Sequence, residues 1–205
     1  IPGIPYDSSP AYLAEAVDAS LRRLQVEHID LYQIHRPDML AHPAETAAAL
    51  DTLVQSGKIV MVGISNYTHA QEDALRHFMK APLVSLQSEY SLHKTDMLRD
   101  GTLDRCMMHD MTFLAWSPLA GGALSQGDKL SPALKAKMSE LAAREDTDLA
   151  GIALAFVLAH PARPVALVGS QNIDRLHAAA KACAITLTRA DVYGLIEAAE
   201  GVALP

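Results

Sequence analysis

The chain reads as an α/β protein, a parallel sheet covered by helices. Strand-like apolar runs alternate with helical segments along the whole sequence. Each strand candidate is a continuous apolar run, the pattern that burial on both faces produces. The strand starts, near residues 29, 59, 84, 111 and 165, leave room for right-handed crossovers.

Ser9 and Pro10 are an N-cap and first-turn proline, and Leu13, Val17, Leu21 and Leu24 then recur on one helical face. Residues 29–38, IDLYQIHRPD, follow as a short buried strand through Ile29, Leu31, Tyr32 and Ile34 that delivers His35 as the run turns polar. This stretch alone leaves a functional histidine and a hydrogen-bonded core histidine equally open. Pro43 starts a helix through Ala47, Leu50, Leu53 and Val54, with Gly57 as its C-cap. The strand KIVMVGI, residues 58–64, ends in Ser65 and Asn66. Thr68 and Gln71 form a capping box for a helix carrying Leu75, Phe78 and Met79 inward.

The third strand, 83–86, ends in Gln87, Ser88, Glu89 and Tyr90. A helix through Leu103, Cys106 and Met107 leads to a fourth strand, 111–115, ending in Trp116, Ser117 and Pro118. Gly121 and Gly122 open a longer connection with two helices, the first capped by Ser131 and Pro132 and burying Leu134, Met138 and Leu141. The second, 149–160, is apolar nearly all round and so belongs deep in the core. A fifth strand, 165–168, ends in Gly169, Ser170 and Gln171. A helix over about 172–182 follows, then a last one capped by Thr188 and Asp191, with Val192, Leu195 and Ile196 inward.

At 205 residues, 50% hydrophobic and 20% charged, the chain can bury a large core as one domain over 1–205. Only 5% is aromatic, so Ala, Leu, Val and Met must fill that core. A net charge of -7 argues against general affinity for nucleic acid or an anionic membrane, though a local phosphate site stays open. Cys106 and Cys183 lie in apolar helical stretches without CxxC spacing, which suits buried thiols, no disulfide and a reducing cytoplasm. No apolar run reaches the length of a membrane span, and His93, His109 and His160 are not spaced as metal ligands, so no metal is expected. The opening IPGIPYDSSP has neither the basic nor the apolar region of a signal peptide and reads as the interior of a longer chain.

The strand ends share a character. Parallel strands present their carboxyl ends at one rim, so His35, Ser65, Asn66, Gln87, Trp116, Ser117, Gly169 and Ser170 are expected together. Each signal is weak alone: Ser65 and Asn66 suit a turn, Gln87 a solvated strand end, and Trp116 a core position. Jointly they suit a planar polar ring attached to phosphates. Amides match a carboxamide, an indole stacks on a ring, and a helix N-terminus receives phosphate.

The motifs IDLYQIHRPD, GKIVMVGISNYT, LVSLQSEYSL, FLAWSPLAGG and VALVGSQNIDRL resemble, in order, the fourth to eighth strands of the aldo-keto reductase family. The resemblance covers nearly the whole chain and implies a TIM-type (β/α)8 barrel, of which this chain would supply about five βα units plus a C-terminal helix. It also implies reduction of small-molecule aldehydes or ketones with NADP(H). His35 would then orient the substrate carbonyl; Ser65, Asn66 and Gln87 would hold the nicotinamide carboxamide; and Trp116 would stack on the ring. Ser117 and Leu119 would lie along the pyrophosphate, Gly169 and Ser170 would begin the adenosine-phosphate site, and Arg175 would pair with the 2′-phosphate. Where many members carry Glu and Asn beyond that arginine, this chain has His177, Ala178, Ala179 and Ala180. The family's general-acid tyrosine, with its lysine and aspartate, belongs to earlier barrel units that have no counterpart here, so the chain is expected to be the carboxyl-terminal part of a longer protein. A nicotinamide-binding regulatory or redox-sensing subunit is the alternative reading.

Overall fold

Side-chain caps start the helices where the sequence puts them. In the computed structural model, which describes residues 6–204, Ser9, Thr68, Ser131, Asp148, Asn172 and Thr188 each accept a backbone N–H in the first turn of the helix they open. Residues 1–5 of the lead-in lie outside the described residues, as does Pro205. The elements are α1 (Pro10–Leu24), β1 (Ile29–Ile34), α2 (Pro43–Gln55), β2 (Ile59–Ser65), α3 (His69–Phe78), β3 (Leu83–Glu89), α4 (Thr102–Met108) and β4 (Thr112–Trp116). They continue with α5 (Ala123–Gln126), α6 (Pro132–Arg144), α7 (Leu149–Leu158), β5 (Val165–Ala166), α8 (Ile173–Lys181) and α9 (Arg189–Glu200). No described helix is long and apolar enough to cross a membrane.

The chain divides into two compact units, the first running up to Gln87 and taking in His109–Met111, the second comprising Ser88–Met108 and everything from Thr112. In the first, β2 lies between β1 and β3, parallel to both. Gln33 of β1 and Ser85 of β3 are both in register with Gly63 of β2. Because Gly63 has no side chain, Gln33 Nε2 reaches across it to donate to Ser85 Oγ at 3.2 Å. A Cβ on Gly63 would collide with that hydroxyl and lie 2.9 Å from Gln33 Cγ. Ile59, Val62, Ile64, Leu83 and Leu86 are buried, together with Leu50 and Leu53 of α2 and Leu75 of α3. Asp51 of α2 is also buried, and its carboxylate accepts from Lys80 N and Ala81 N, tying the helix to the turn that enters β3.

The second unit is built around α7. Residues 151–157 of that helix are all buried, and Phe156 meets Tyr90, which in turn meets Phe113 of β4, at centroid distances of 5.7 and 6.1 Å. β5 runs parallel to β4. The helix α6 is fastened to α9 by Arg144, whose Nη1 and Nη2 donate to the two Asp191 oxygens at 3.0 and 2.9 Å. Asp191 also accepts from Thr188 N and Oγ1 in the capping box of α9.

Several expectations change. The strand β1 is half-buried apart from buried Ile34 and exposed Asp30, because among the described residues it pairs on one side alone. The fifth strand shrinks to two residues, after which Leu167 N still bonds across, to Ala115 O. Phe78 ends α3 43% exposed, resting against the rings of His42 and His77. Ser56, not Gly57, is the C-cap of α2, and Gly57 follows in a left-handed conformation at φ 74°. Cys106 is buried as expected, but Cys183 is exposed in the turn after α8, where its neighbour Ala182 takes the buried place.

Two outcomes follow. Gly63→Ala destabilises by about 1–3 kcal/mol in urea unfolding, and adding Ser85→Ala, which removes the colliding hydroxyl, recovers part of the loss. The Arg144 guanidinium, then Thr188, holds the Asp191 carboxyl well below the usual carboxylate range. Folding therefore favours the ionised form, so this contribution is complete above the unfolded value of about 3.9 and is lost as pH falls below it toward the folded value. Asp191→Asn should lower stability at neutral pH and flatten the acid limb of the stability profile.

Candidate active site

The first unit gathers four of the candidate residues at the carboxyl ends of its strands. Ser65 closes β2 with its side chain buried, and Asn66 follows at φ 58°, a left-handed conformation that asparagine tolerates better than most residues. From that position Asn66 bonds in three directions. Its backbone N–H donates to Gln87 O of β3 at 2.9 Å, and its Nδ2 donates to His35 O beyond β1 at 3.2 Å and to Ser65 Oγ at 2.8 Å. One residue thus ties together the ends of all three strands. The His35 side chain is exposed beside this junction, and Gln87 is half-exposed. These groups can offer a ligand an imidazole and side-chain amides on a rim fixed by backbone bonds, which suits a carboxamide or a carbonyl oxygen.

In the second unit, Trp116 ends β4 half-buried, and its carbonyl accepts from Tyr90 N at 3.4 Å. Ser117 turns the chain with a left-handed backbone, φ 53°. Its carbonyl accepts from Ala120 N at 2.8 Å and its Oγ from Gly121 N at 3.1 Å. The Leu119 carbonyl accepts from Gly122 N and Leu124 N. Three successive residues, Ala120, Gly121 and Gly122, then also have positive φ, so this connection has a shape that most side chains disfavour. Such conformations concentrate at functional sites.

Gly169 and Ser170 lie beyond β5, which pairs in parallel with the end of β4 through Leu114 with Val165 and Ala115 with Ala166, so both strands end on the same side of this unit. A Cβ on Gly169 would meet nothing, so its lack of a side chain is not needed for packing among the described residues. Ser170 Oγ accepts from Asn172 N at 3.2 Å, and Asn172 Oδ1 accepts from Asp174 N and Arg175 N at 2.9 and 3.1 Å. The cap of α8 therefore occupies two of the amides that a helix N-terminus would offer to phosphate. Arg175, in the first turn of that helix, is exposed and makes no ion pair among the described residues.

The residue types were legible as candidates, but the junction at Asn66 was not: nothing local in SNY names His35 O and Gln87 O as partners. A usable signal existed for the left-handed turn at Asn66, since asparagine directly after a strand often adopts it; Ser117 carried no such signal.

The aldo/keto reductase family model matches residues 1–200 of this chain. A 6-dehydroglucose reductase of Novosphingobium aromaticivorans is 41% identical, over 100% of this chain and 68% of that protein. Another 6-dehydroglucose reductase, of Agrobacterium fabrum, is 36% identical over 96% of this chain and 65% of its own length. Among solved structures, a thermostable aldo-keto reductase in complex with the inhibitor epalrestat superimposes with a TM-score of 0.85 at 28% identity, covering 92% of this chain and 66% of that one. The glycerol dehydrogenase of Gluconobacter oxydans does so with a TM-score of 0.86 at 28% identity, over 97% and 67%. The chain thus spans about two thirds of the length of the relatives it matches.

The Asn66 junction yields a separable outcome. Asn66→Gly keeps the left-handed turn and removes the side-chain bonds, whereas Asn66→Ala loses the bonds and also strains the backbone. In urea unfolding Asn66→Ala should therefore be the less stable of the two, by about 1 kcal/mol.

Proposed function

The chain belongs to the aldo/keto reductase family, and we propose that it forms the nucleotide-holding part, and one catalytic group, of an oxidoreductase that reduces aldehydes or ketones to alcohols with NADP(H). The observation that carries this reading is the junction at Asn66, which bonds to His35 O, Ser65 Oγ and Gln87 O. Four groups suited to a nicotinamide carboxamide and a substrate carbonyl are thereby fixed together. On this reading residues 1–205 are one domain, about five βα units and a C-terminal helix of a (β/α)8 barrel. The earlier units, with the general-acid tyrosine, belong to a longer parent protein.

When bound, the reduced nicotinamide would supply the hydride. Ser65, Asn66 and Gln87 would grip its carboxamide, Trp116 would stack against the ring, and Ser117 and Leu119 would line the pyrophosphate. Gly169 and Ser170 would begin the adenosine-phosphate site. His35 would donate a hydrogen bond to the substrate oxygen, stabilising the negative charge that develops there. The preference for NADP(H) over NAD(H) rests on Arg175, whose guanidinium can meet a 2′-phosphate with paired charge-assisted bonds. The 6-dehydroglucose reductases among the relatives make an oxidised sugar the first substrate class to assay.

Steady-state kinetics and NADPH fluorescence titration on the whole protein test this. His35→Ala should lower turnover by about 100-fold or more while leaving NADPH affinity little changed; equal losses in both would remove His35 from the chemistry. Arg175→Ala should weaken NADPH about tenfold and leave NADH unaffected. Parallel losses for both nucleotides would refute the 2′-phosphate assignment.

A further inference from the structure

A cavity of about 190 Å³ opens in the first unit between the segment that follows His35 and the segment that follows Asn66. Asp38, Tyr67 and Gln71 line it, with Ser8 and Thr46, whose hydroxyl already donates to Ser8 O at 3.2 Å, and Pro37, Pro43 and Leu75 contribute apolar wall. The Asp38 carboxylate is held in place, Oδ2 accepting from Ser8 N and Oδ1 from Leu40 N, both at 2.9 Å. No lysine, arginine or histidine lines the cavity. Burial, and secondarily the Asp38 charge, push the Tyr67 phenol up to about 12, so it stays a neutral donor at physiological pH. That hydroxyl has no hydrogen-bond partner among the described residues. Gln71 uses its carbonyl oxygen to accept from Thr68 N and Oγ1, which leaves its amide N–H groups as the donating end.

We propose that this cavity, lined by Asp38, Tyr67 and Gln71, is a binding site for a small neutral polyol, a molecule of triose to hexose size with adjacent hydroxyls. Asp38 accepts from ligand hydroxyls, Tyr67 and Gln71 donate to ligand oxygens, and the ligand's C–H face rests on the two prolines and Leu75. The space equals that of roughly six waters, which bounds the ligand's size. An anion is rejected by the unbalanced carboxylate. An ammonium ion would satisfy Asp38, but it has no acceptor for the Tyr67 and Gln71 donors, and each oxygen of Asp38 already takes a backbone amide. Asp38 lies three residues after His35 and Tyr67 directly follows Asn66, so the cavity adjoins the proposed catalytic rim without sharing its residues. The inference goes beyond the reductase reading and stands independently of it.

Titration of the 15N-labelled whole protein with glycerol and with D-glucose, followed by amide shifts, tests it. Saturable shifts at the Ser8 and Leu40 amides are expected for at least one polyol. Tyr67→Phe should weaken that binding about fivefold, and Asp38→Asn by about tenfold. Ala74→Leu, which fills the cavity from the α3 side, should abolish it and serves if Asp38→Asn fails to fold. No saturable shift with either polyol, an unchanged affinity in Tyr67→Phe, or saturable shifts with methylammonium alone would each overturn the proposal.

Discussion

The first unit depends on an empty space. With no side chain at Gly63, the Gln33 amide and the Ser85 hydroxyl meet across the middle strand, and the three residues lie in one register row. That row sets how far each strand has run when it reaches its carboxyl end. Two residues past Gly63 on β2 comes Ser65, the same step from Gln33 on β1 gives His35, and from Ser85 on β3 gives Gln87. A slip of one residue would turn alternate side chains to the other face and dismantle the group. Asn66 then locks the three ends with its own bonds.

The second unit solves a different problem with different means. Its core is a helix, α7, apolar on every side, and it has few strong hydrogen-bonding groups to direct its packing. Direction comes from the periphery. Arg144 grips Asp191 between α6 and α9, while Arg99 and Thr95 grip Glu200 at the end of α9 with donor distances of 2.7–2.9 Å. Such paired guanidinium contacts specify geometry more than they add stability where solvent reaches them. Arg175 stands apart from these pairs as an exposed guanidinium without an ion-pair partner among the described residues.

Most of the elements were legible in the sequence, and so were their starting points. Ser9, Thr68, Ser131 and Thr188 cap helices where their spacing to the following polar or apolar residues predicts it. Burial was legible where a face is crowded, as for Leu134, Met138 and Leu141, and misread at element ends, where Phe78 and Cys183 turned outward. Helical spacing says which residues share a face, but the last residue of that face is covered only if another element extends past it.

Local periodicity and side-chain chemistry account for the alternation of strands and helices, the caps, and the polar residues that close each strand. Tertiary packing decided that Ser117 adopts a left-handed backbone, that Asn66 reaches His35 O and Gln87 O, and that Asn172 takes amides at the start of α8. The reason is physical. A hydrogen bond needs two partners at one point in space, and for His35 and Asn66 those partners lie 31 residues apart in the chain.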